Sequence, residues 1–315
     1  MTASVTVNMN SEDLFKAMNS EHFPRFAQTE LSNSCQASCI FCPHEKMIKR
    51  PTLRWSKVNE IIEKVVPLVD AFCPFLTEEP ALNPRLPEIL GYVKQVNPRC
   101  ETIIYSNMGA WSPDTIDRIV EEGNLDTLIT SLYAPNKELH NRYQPGVDTD
   151  AAWTSLKMWF DTRRWLNKLK PRIQWHYLAI PELMDHAQEF VDRVTPISDS
   201  GGFTHFDTFH GDVPQMGDND RYFGEPEKTR RPCPHLWRAF NTLSNGDVVP
   251  CCLDYSDSTP LGNIFRDDPE EIWRNPLFEK LRQMHVDGKQ SEIPLCRDCT
   301  VYKHQHPKEW TALWN

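Results

Sequence analysis

The sequence predicts an α/β chain: a partial (β/α)6 TIM-like barrel with a small C-terminal domain made of a hairpin and a cysteine knuckle. Three observations predict it. Strand-like apolar runs alternate with helical patterns about six times between residues 26 and 209, and such alternation implies a parallel sheet with right-handed crossovers. The motifs that carry chemistry follow successive strands, at the C-terminal ends where barrels of this kind hold their sites. After residue 232 the composition shifts to a short cysteine-rich segment.

Phe26–Leu31 reads as the first strand, ending in Ser32-Asn33-Ser34. Ser56 is expected to cap a helix over Lys57–Asp70, with Ile61, Ile62, Val65, Val66 and Val69 on one face and Pro67 shortening its last turn. Ala71–Leu76 is the second strand, Leu86–Gln95 the next helix and Glu101–Ser106 the third strand. Ser112-Pro113-Asp114 is a helix start, and Gly123 stops that helix. Leu125–Leu132 follows as a strand, and 133–149 reads as a loop. A helix over Ala151–Lys168, a strand over Arg172–Ile180, a helix over Leu183–Val194 opened by Pro181, and a strand over Phe203–Phe209 complete the repeat. The expected division is an N-terminal extension (1–24, weakly helical at Ser11–Asn19), the barrel (25–215), a linker (216–232), the cysteine domain (233–305) and a tail (306–315).

The charge balance is −10, from 34 Lys and Arg against 44 Asp and Glu, which argues against a nucleic-acid partner. No apolar run approaches the ~20 residues of a membrane span, and residues 1–26 lack the pattern of a secretory signal. The expectation is a cytoplasmic protein, where cysteines bind metal or do redox chemistry more often than they form disulfides. Eight of the ten cysteines fall in two groups, 35, 39, 42 and 233, 251, 252, 296, 299; Cys73 and Cys100 stand apart in apolar runs and are expected to be core thiols.

The first group is Cys35-Gln36-Ala37-Ser38-Cys39-Ile40-Phe41-Cys42. Three thiolates on one loop can hold three irons of a cubane cluster and leave the fourth without a protein ligand. The bland alternative is a zinc loop. Cys233, Cys251, Cys296 and Cys299 can enclose a whole 4Fe–4S cluster, or a structural zinc. Between them Ser244-Asn245-Gly246-Asp247 signals a hairpin, and Glu270–Met284 reads as a helix.

The C-x3-C-x2-C loop with its aromatic before the last cysteine resembles the signature of the radical S-adenosylmethionine (SAM) superfamily. That resemblance implies a 4Fe–4S cluster on Cys35, Cys39 and Cys42 whose open iron binds SAM, and reductive cleavage of SAM to a 5′-deoxyadenosyl radical. Further residues resemble the superfamily's SAM contacts. Thr77-Glu78-Glu79-Pro80 sits where the family has a Gly-Gly-Glu-Pro-like turn, with both glycines replaced, by Thr77 and Glu78. Ser106-Asn107-Met108-Gly109 resembles the turn after strand three. Ser131 ends strand four, where ribose or the SAM carboxylate is held, and Arg142 is expected to pair with that carboxylate. Phe41 is expected to pack near the adenine.

The second cysteine set resembles the superfamily's twitch domain, the half-size relative of SPASM, and implies one auxiliary 4Fe–4S cluster. Cys252 is left over. Neighbours in an extended segment face opposite ways, so Cys252 is read either as a small buried residue or as a hydrogen-atom donor to a substrate radical; the two adjacent cysteines could also exchange roles.

The spacing is similar to that of the superfamily's alcohol-dehydrogenase branch, which implies oxidation of a sugar or cyclitol alcohol with the auxiliary cluster as electron acceptor. The alternatives are a radical epimerase using Cys252, a maturase acting on a peptide substrate, and a non-enzymatic zinc protein. The lack of room for a peptide-binding domain before Cys35 counts against the maturase. A flavodoxin- or ferredoxin-type electron donor is implied as partner. Trp175, His176, Tyr177, His205, Asp207, His210, Asp254 and Tyr255 are candidate pocket residues, with no general base assigned.

Overall fold

The computed structural model describes residues 22–224 and 230–301. Ser11–Asn19, residues 225–229 of the linker, residues 302–305 and the whole tail lie outside them.

Nine strands form one open sheet in the order β6-β5-β4-β3-β2-β1-β7-β8-β9. Strands β1 (Phe26–Thr29), β2 (Ala71–Cys73), β3 (Glu101–Ser106), β4 (Thr127–Thr130), β5 (Arg172–Leu178) and β6 (Ser200–Thr204) are all parallel, each paired with the next. β2 and β4 are buried at every position, as expected of parallel strands covered on both faces. Among the described residues the sheet does not close. β7 (Ala239–Thr242) pairs in parallel with β1, in the register Phe26↔Ala239, and β8 (Asp247–Val249) and β9 (Gly262–Asn263) continue antiparallel. The C-terminal hairpin therefore extends the barrel sheet on the free side of β1.

The helices follow the expected alternation, with instructive shifts. α1 (Trp55–Val65) starts two residues early, with Arg54 at the N-cap and no side-chain cap, so Ser56 lies inside the helix. Its last turn tightens to 3₁₀ at Val66–Leu68, around Pro67. α2 (Leu86–Val96) and α3 (Pro113–Glu122) match their predicted spans closely. Ser112 Oγ accepts from the Thr115 amide, and Gly123 ends α3 at φ 69°. The stretch read as a loop contains α4 (Lys137–Tyr143), capped by Asn136. Two turns between Pro135 and Pro145 are too short for periodicity to reveal. After α5 (Thr149–Trp165), the helix predicted at 183–194 splits into α6 (Pro181–Met184) and α7 (Ala187–Val194). The sixth strand comes earlier than predicted, so His205 and Asp207 lie in the loop beyond it. Short α8 (Asn219–Phe223) lies in the linker, and α9 (His235–Arg238) precedes β7. The predicted 270–284 helix is two, α10 (Pro269–Trp273) and α11 (Pro276–Val286), broken where Asn275 caps the second; α12 (Pro294–Arg297) follows.

Two cores result. One, under β3–β6, is built on Trp111, Leu128, Trp159, Tyr177 and Phe190. The other joins Ile61, Ile62, Phe72 and Ile89 of the barrel to Phe240, Trp273 and Phe278 of the C-terminal segment. Cys73 and Cys100 are fully buried. No helix among the described residues is long and apolar enough to cross a membrane.

Candidate active site at the strand ends

The cysteine loop leaves β1 and is held by backbone bonds to the far end of α4: Ser38 N–H donates to Pro145 O (2.7 Å) and Ile40 N–H to Tyr143 O (3.2 Å). Gly146 makes this approach possible. At φ 89°, a Cβ there would stand 2.3 Å from the Gln36 carbonyl oxygen. Gln36 reaches across to β3, donating to Asn107 Oδ1 at 2.9 Å, while Asn107 Nδ2 lies 3.8 Å from Cys35 Sγ. Burial pushes the Cys35 thiol up to about 11, and burial followed by repulsion from Cys42 and Cys35 pushes Cys39 up further. These three soft donors are half-buried and crowded enough to feel one another.

The neighbouring turns meet this loop in strand order. Glu79 N–H donates to Ser34 O (2.9 Å). The Glu79 carboxylate accepts from Ser106 Oγ (2.7 Å), the Asn107 amide (2.8 Å) and the Ala81 amide (3.1 Å). The Glu78 carboxylate accepts from the amides of Leu31 (2.7 Å), Thr77 (3.0 Å) and Leu76 (3.1 Å). Burial raises the two carboxyls to about 8 for Glu78, where Glu30 adds repulsion, and about 7 for Glu79. Both side chains are thus turned into the protein and brace the turn; its rim-facing resource is backbone. The Thr77 hydroxyl donates to Glu30. Ser131 N–H donates to Ser106 O (2.7 Å), and its carbonyl accepts from Gln144 Nε2 (2.8 Å). Phe41 is buried edge-on to Tyr133, 5.3 Å between ring centroids. Arg142 is already engaged: it pairs with Glu182 and, at 3.4 Å, with Glu138. Arg142, expected to pair with the SAM carboxylate, is thus about half exposed and stands between two acidic side chains.

The second set is assembled from distant segments. Cys233, Cys251, Cys296 and Cys299 line one cavity with His210, His285 and Leu236. Each thiol lies within electrostatic reach of others in the set, and burial is the main cause holding Cys233, Cys296 and Cys299 protonated. Cys251 is held up first by a hydrogen bond with Cys252 and then by burial. That contact corrects the extended-strand expectation: residues 251–253 form a bend and turn, so the adjacent thiols lie side by side. Among the described residues no group of three or more His, Cys, Asp or Glu side chains is set to hold a single metal ion.

Of the pocket candidates, β5 sorts three by alternation. Trp175 and Tyr177 point into the helical layer, against Phe190, with the Tyr177 hydroxyl on Leu183 O (2.6 Å). His176 points the other way, edge-on to Tyr105 (5.9 Å), which stacks on Phe75 (5.7 Å). Burial lowers His176 to about 4, so its imidazole is neutral at neutral pH. Burial raises Tyr105, and the thiols of Cys73 and Cys252 lie close enough to add to it. The His205 ring lies tilted against Phe223, 3.8 Å between ring centroids. Asp207 accepts from the Phe209 amide (2.6 Å) and Thr300 Oγ1 (3.2 Å). Burial and then Asp207 are the main influences on His210, and burial lowers it. Asp254 binds the amides of Ser258 (2.8 Å) and Thr259 (3.0 Å), which marks it as a loop brace. The Tyr255 hydroxyl donates to Asp212.

Sequence reasoning missed Gln36, Tyr105, Gln144 and the buried pair Glu30–Arg50. Arg50 Nε and Nη2 donate to Glu30 (2.6 and 2.8 Å), Arg50 Nη1 to Tyr255 O (3.1 Å), and Ser244 Oγ to Glu30 (2.8 Å). This pair ties the first cysteine loop to the C-terminal hairpin. Only the proximity of Glu30 and Arg50 to the cysteine motif hinted at it.

An open parallel sheet with a cysteine triad at its strand ends and a four-thiol cavity beside it defines an iron–sulfur enzyme. Residues 29–164 match the radical SAM superfamily and residues 233–300 the iron–sulfur cluster-binding SPASM domain. The S-adenosyl-L-methionine-dependent 2-deoxy-scyllo-inosamine dehydrogenase of Niallia circulans is 33% identical over 289 residues, 90% of this chain and 95% of that protein. The fold is shared with the crystal structure of BtrN in complex with AdoMet and 2-DOIA (16% identity, TM-score 0.63, 88% of this chain and 93% of that one). It is also shared with Streptococcus suis SuiB bound to S-adenosylmethionine (16% identity, TM-score 0.70, 89% and 76%). The chain belongs to the radical SAM superfamily. It is a radical SAM enzyme whose cofactors are SAM and two 4Fe–4S clusters, and the donor sets fit them: a crowded, half-buried thiol triad on one loop, and four thiols around one cavity.

Proposed function

We propose that the chain oxidises a small-molecule secondary alcohol of the sugar or cyclitol type to a ketone. The four-thiol cavity carries this reading. Cysteine at all four positions leaves no iron open for substrate, so the auxiliary cluster serves electron transfer. Identity of 33% across nearly the whole length of a cyclitol-type dehydrogenase supports it. When bound, the cofactors would supply the redox chemistry: SAM would furnish the radical that removes the carbinol hydrogen atom, and the auxiliary cluster would take the electron left on that carbon once a base holds the hydroxyl proton.

Cys35, Cys39 and Cys42 hold the first cluster, and Cys233, Cys251, Cys296 and Cys299 the second. The 77–79 backbone, Asn107 and Ser131 form the SAM rim, with Phe41 beneath it. Phe75, Tyr105 and His176 form a substrate wall on the same side of the sheet as Cys252. A low-potential flavodoxin or ferredoxin delivers the first electron, in the cytoplasm.

A second reading rests on Cys252. Its closeness to Tyr105 suits a hydrogen-atom donor in an epimerase. Mass spectrometry of a cyclitol or sugar incubated with reduced enzyme and SAM in deuterated solvent separates the two. Loss of a pair of hydrogens supports oxidation; unchanged composition with one solvent deuterium gained at carbon sinks it in favour of epimerisation.

A further inference from the structure

His285 makes a contact that the dehydrogenase reading does not use. It lies in the last turn of α11 and is 2% exposed. Its Nδ1 stands 3.1 Å from the backbone nitrogen of Cys233, and its Nε2 stands 3.4 Å from Sγ of Cys296. One imidazole therefore bridges two members of the four-thiol set.

The amide decides the tautomer. A backbone N–H only donates, so Nδ1 must offer its lone pair. The ring proton of the neutral imidazole then sits on Nε2 and is aimed at the Cys296 sulfur. Turning the ring over would set carbon against the amide and leave that donor unpaired, which is costly in a buried place. The residue is anchored from behind, because Gln290 Nε2 donates to the His285 carbonyl at 3.1 Å. Gln290 is itself 1% exposed.

We propose that His285 is a positioning residue that donates its Nε2–H to the Cys296 thiolate and so raises the reduction potential of the auxiliary cluster. The inference rests on the proposed role of that cluster as electron acceptor. A hydrogen bond to a ligating sulfur withdraws charge from it, and the more negative reduced state gains most from that withdrawal. The bond makes the cluster a better acceptor for the electron left on substrate.

Two substitutions divide the contacts. In His285→Asn the side-chain oxygen takes the place of Nδ1 and still accepts from Cys233, but nothing reaches Cys296. In His285→Gln the side-chain amide takes the place of Nε2 and still donates to the sulfur, while the Cys233 amide loses its acceptor. The auxiliary midpoint potential is read by redox titration with electron paramagnetic resonance, each variant also carrying Cys35, Cys39 and Cys42 as Ala so that one cluster remains. A lower midpoint in His285→Asn, with His285→Gln at the parental value, is the expected result. Equal midpoints in all three proteins, or a shift in His285→Gln alone, would overturn the proposal and leave His285 as a loop tie. A measurement on the unsubstituted protein does not depend on either variant folding. Electron–nuclear double resonance of the reduced auxiliary cluster, with ¹⁵N-histidine and deuterated solvent, should show one coupled nitrogen and one exchangeable proton; their absence refutes the bond. Iron and sulfide analysis separates the two levels: a chain that binds only one cluster ends the dehydrogenase reading itself.

Discussion

The two cysteine sets gather the same kind of donor by opposite means. The first lies on one loop, and its donors are neighbours by covalent connection. The second draws thiols from ahead of α9, from beyond β8 and from α12, and is a set only when the hairpin is docked on β1 and α11 is in place. A local set can be read from spacing and tolerates distortion elsewhere; a dispersed set exists only as tertiary structure. The Glu30–Arg50 pair is the buried bolt between the regions.

The largest separation should come from removing one ligand of each set. Cys39→Ala should abolish SAM cleavage while the auxiliary iron remains. Cys299→Ala should lose the other half of the iron and stop ketone formation while SAM cleavage continues uncoupled. Iron analysis with 5′-deoxyadenosine and ketone assays checks both, and loss of all iron from either variant would show that the sets are not independent.

Next comes the bolt. Arg50→Met strands a buried carboxylate, and breaking such a pair costs about 3–5 kcal/mol. Urea unfolding of the cluster-free chain should show that loss, with the hairpin end exposed first in hydrogen exchange. A change under ~1 kcal/mol, the range of surface pairs, would contradict the assignment.

Acid should weaken the support of the first loop. His140, on α4, is fully buried with neither ring nitrogen hydrogen-bonded, and burial lowers it to about 4. Between its ordinary value of about 6.5 and that lowered value the unfolded chain takes up a proton the folded chain refuses. Stability is therefore full above pH 6.5 and is lost as pH falls toward 4, by on the order of 3 kcal/mol from this residue. His140→Leu should flatten that stretch of the urea-midpoint profile, and an unchanged slope would remove His140 as its cause.

The smallest effect belongs to Arg142. Its ion pairs are about half exposed, and such pairs contribute roughly 0–1 kcal/mol. Arg142→Ala should leave SAM affinity within about twofold and stability within that range. A large loss of SAM binding, measured by equilibrium dialysis, would restore the ligand-pairing role that the Glu182 contact argues against.

Much of the fold was legible because β/α alternation leaves a periodic apolar trace, and Ser112-Pro113 and Gly123 punctuate it. α4 was not legible, since seven residues carry too little periodicity. Single long helices were predicted at 183–194 and 270–284, where apolar spacing runs on through a break; Asn275 caps the second helix of the later pair, while the helix from Ala187 begins at His186 with no side-chain cap. At the site, cysteine spacing survives in sequence, but the inward turn of Glu78, the engagement of Arg142 and the side-by-side placement of Cys251 and Cys252 do not. Those depend on which amides and charges the fold brings near.

The sequence by itself determined the α/β class, the thiol triad and the hairpin turn at Asn245-Gly246, and it named the four cysteines that the fold brings to one cavity. Each depends on contacts within a few residues or on donor chemistry that survives without coordinates. Only the tertiary structure decided that the hairpin joins β1, that Glu30 and Arg50 bind the two regions together, and that His285 spans Cys233 and Cys296. Hydrogen bonds act over about 3 Å between groups far apart in the chain, and folding alone sets such distances.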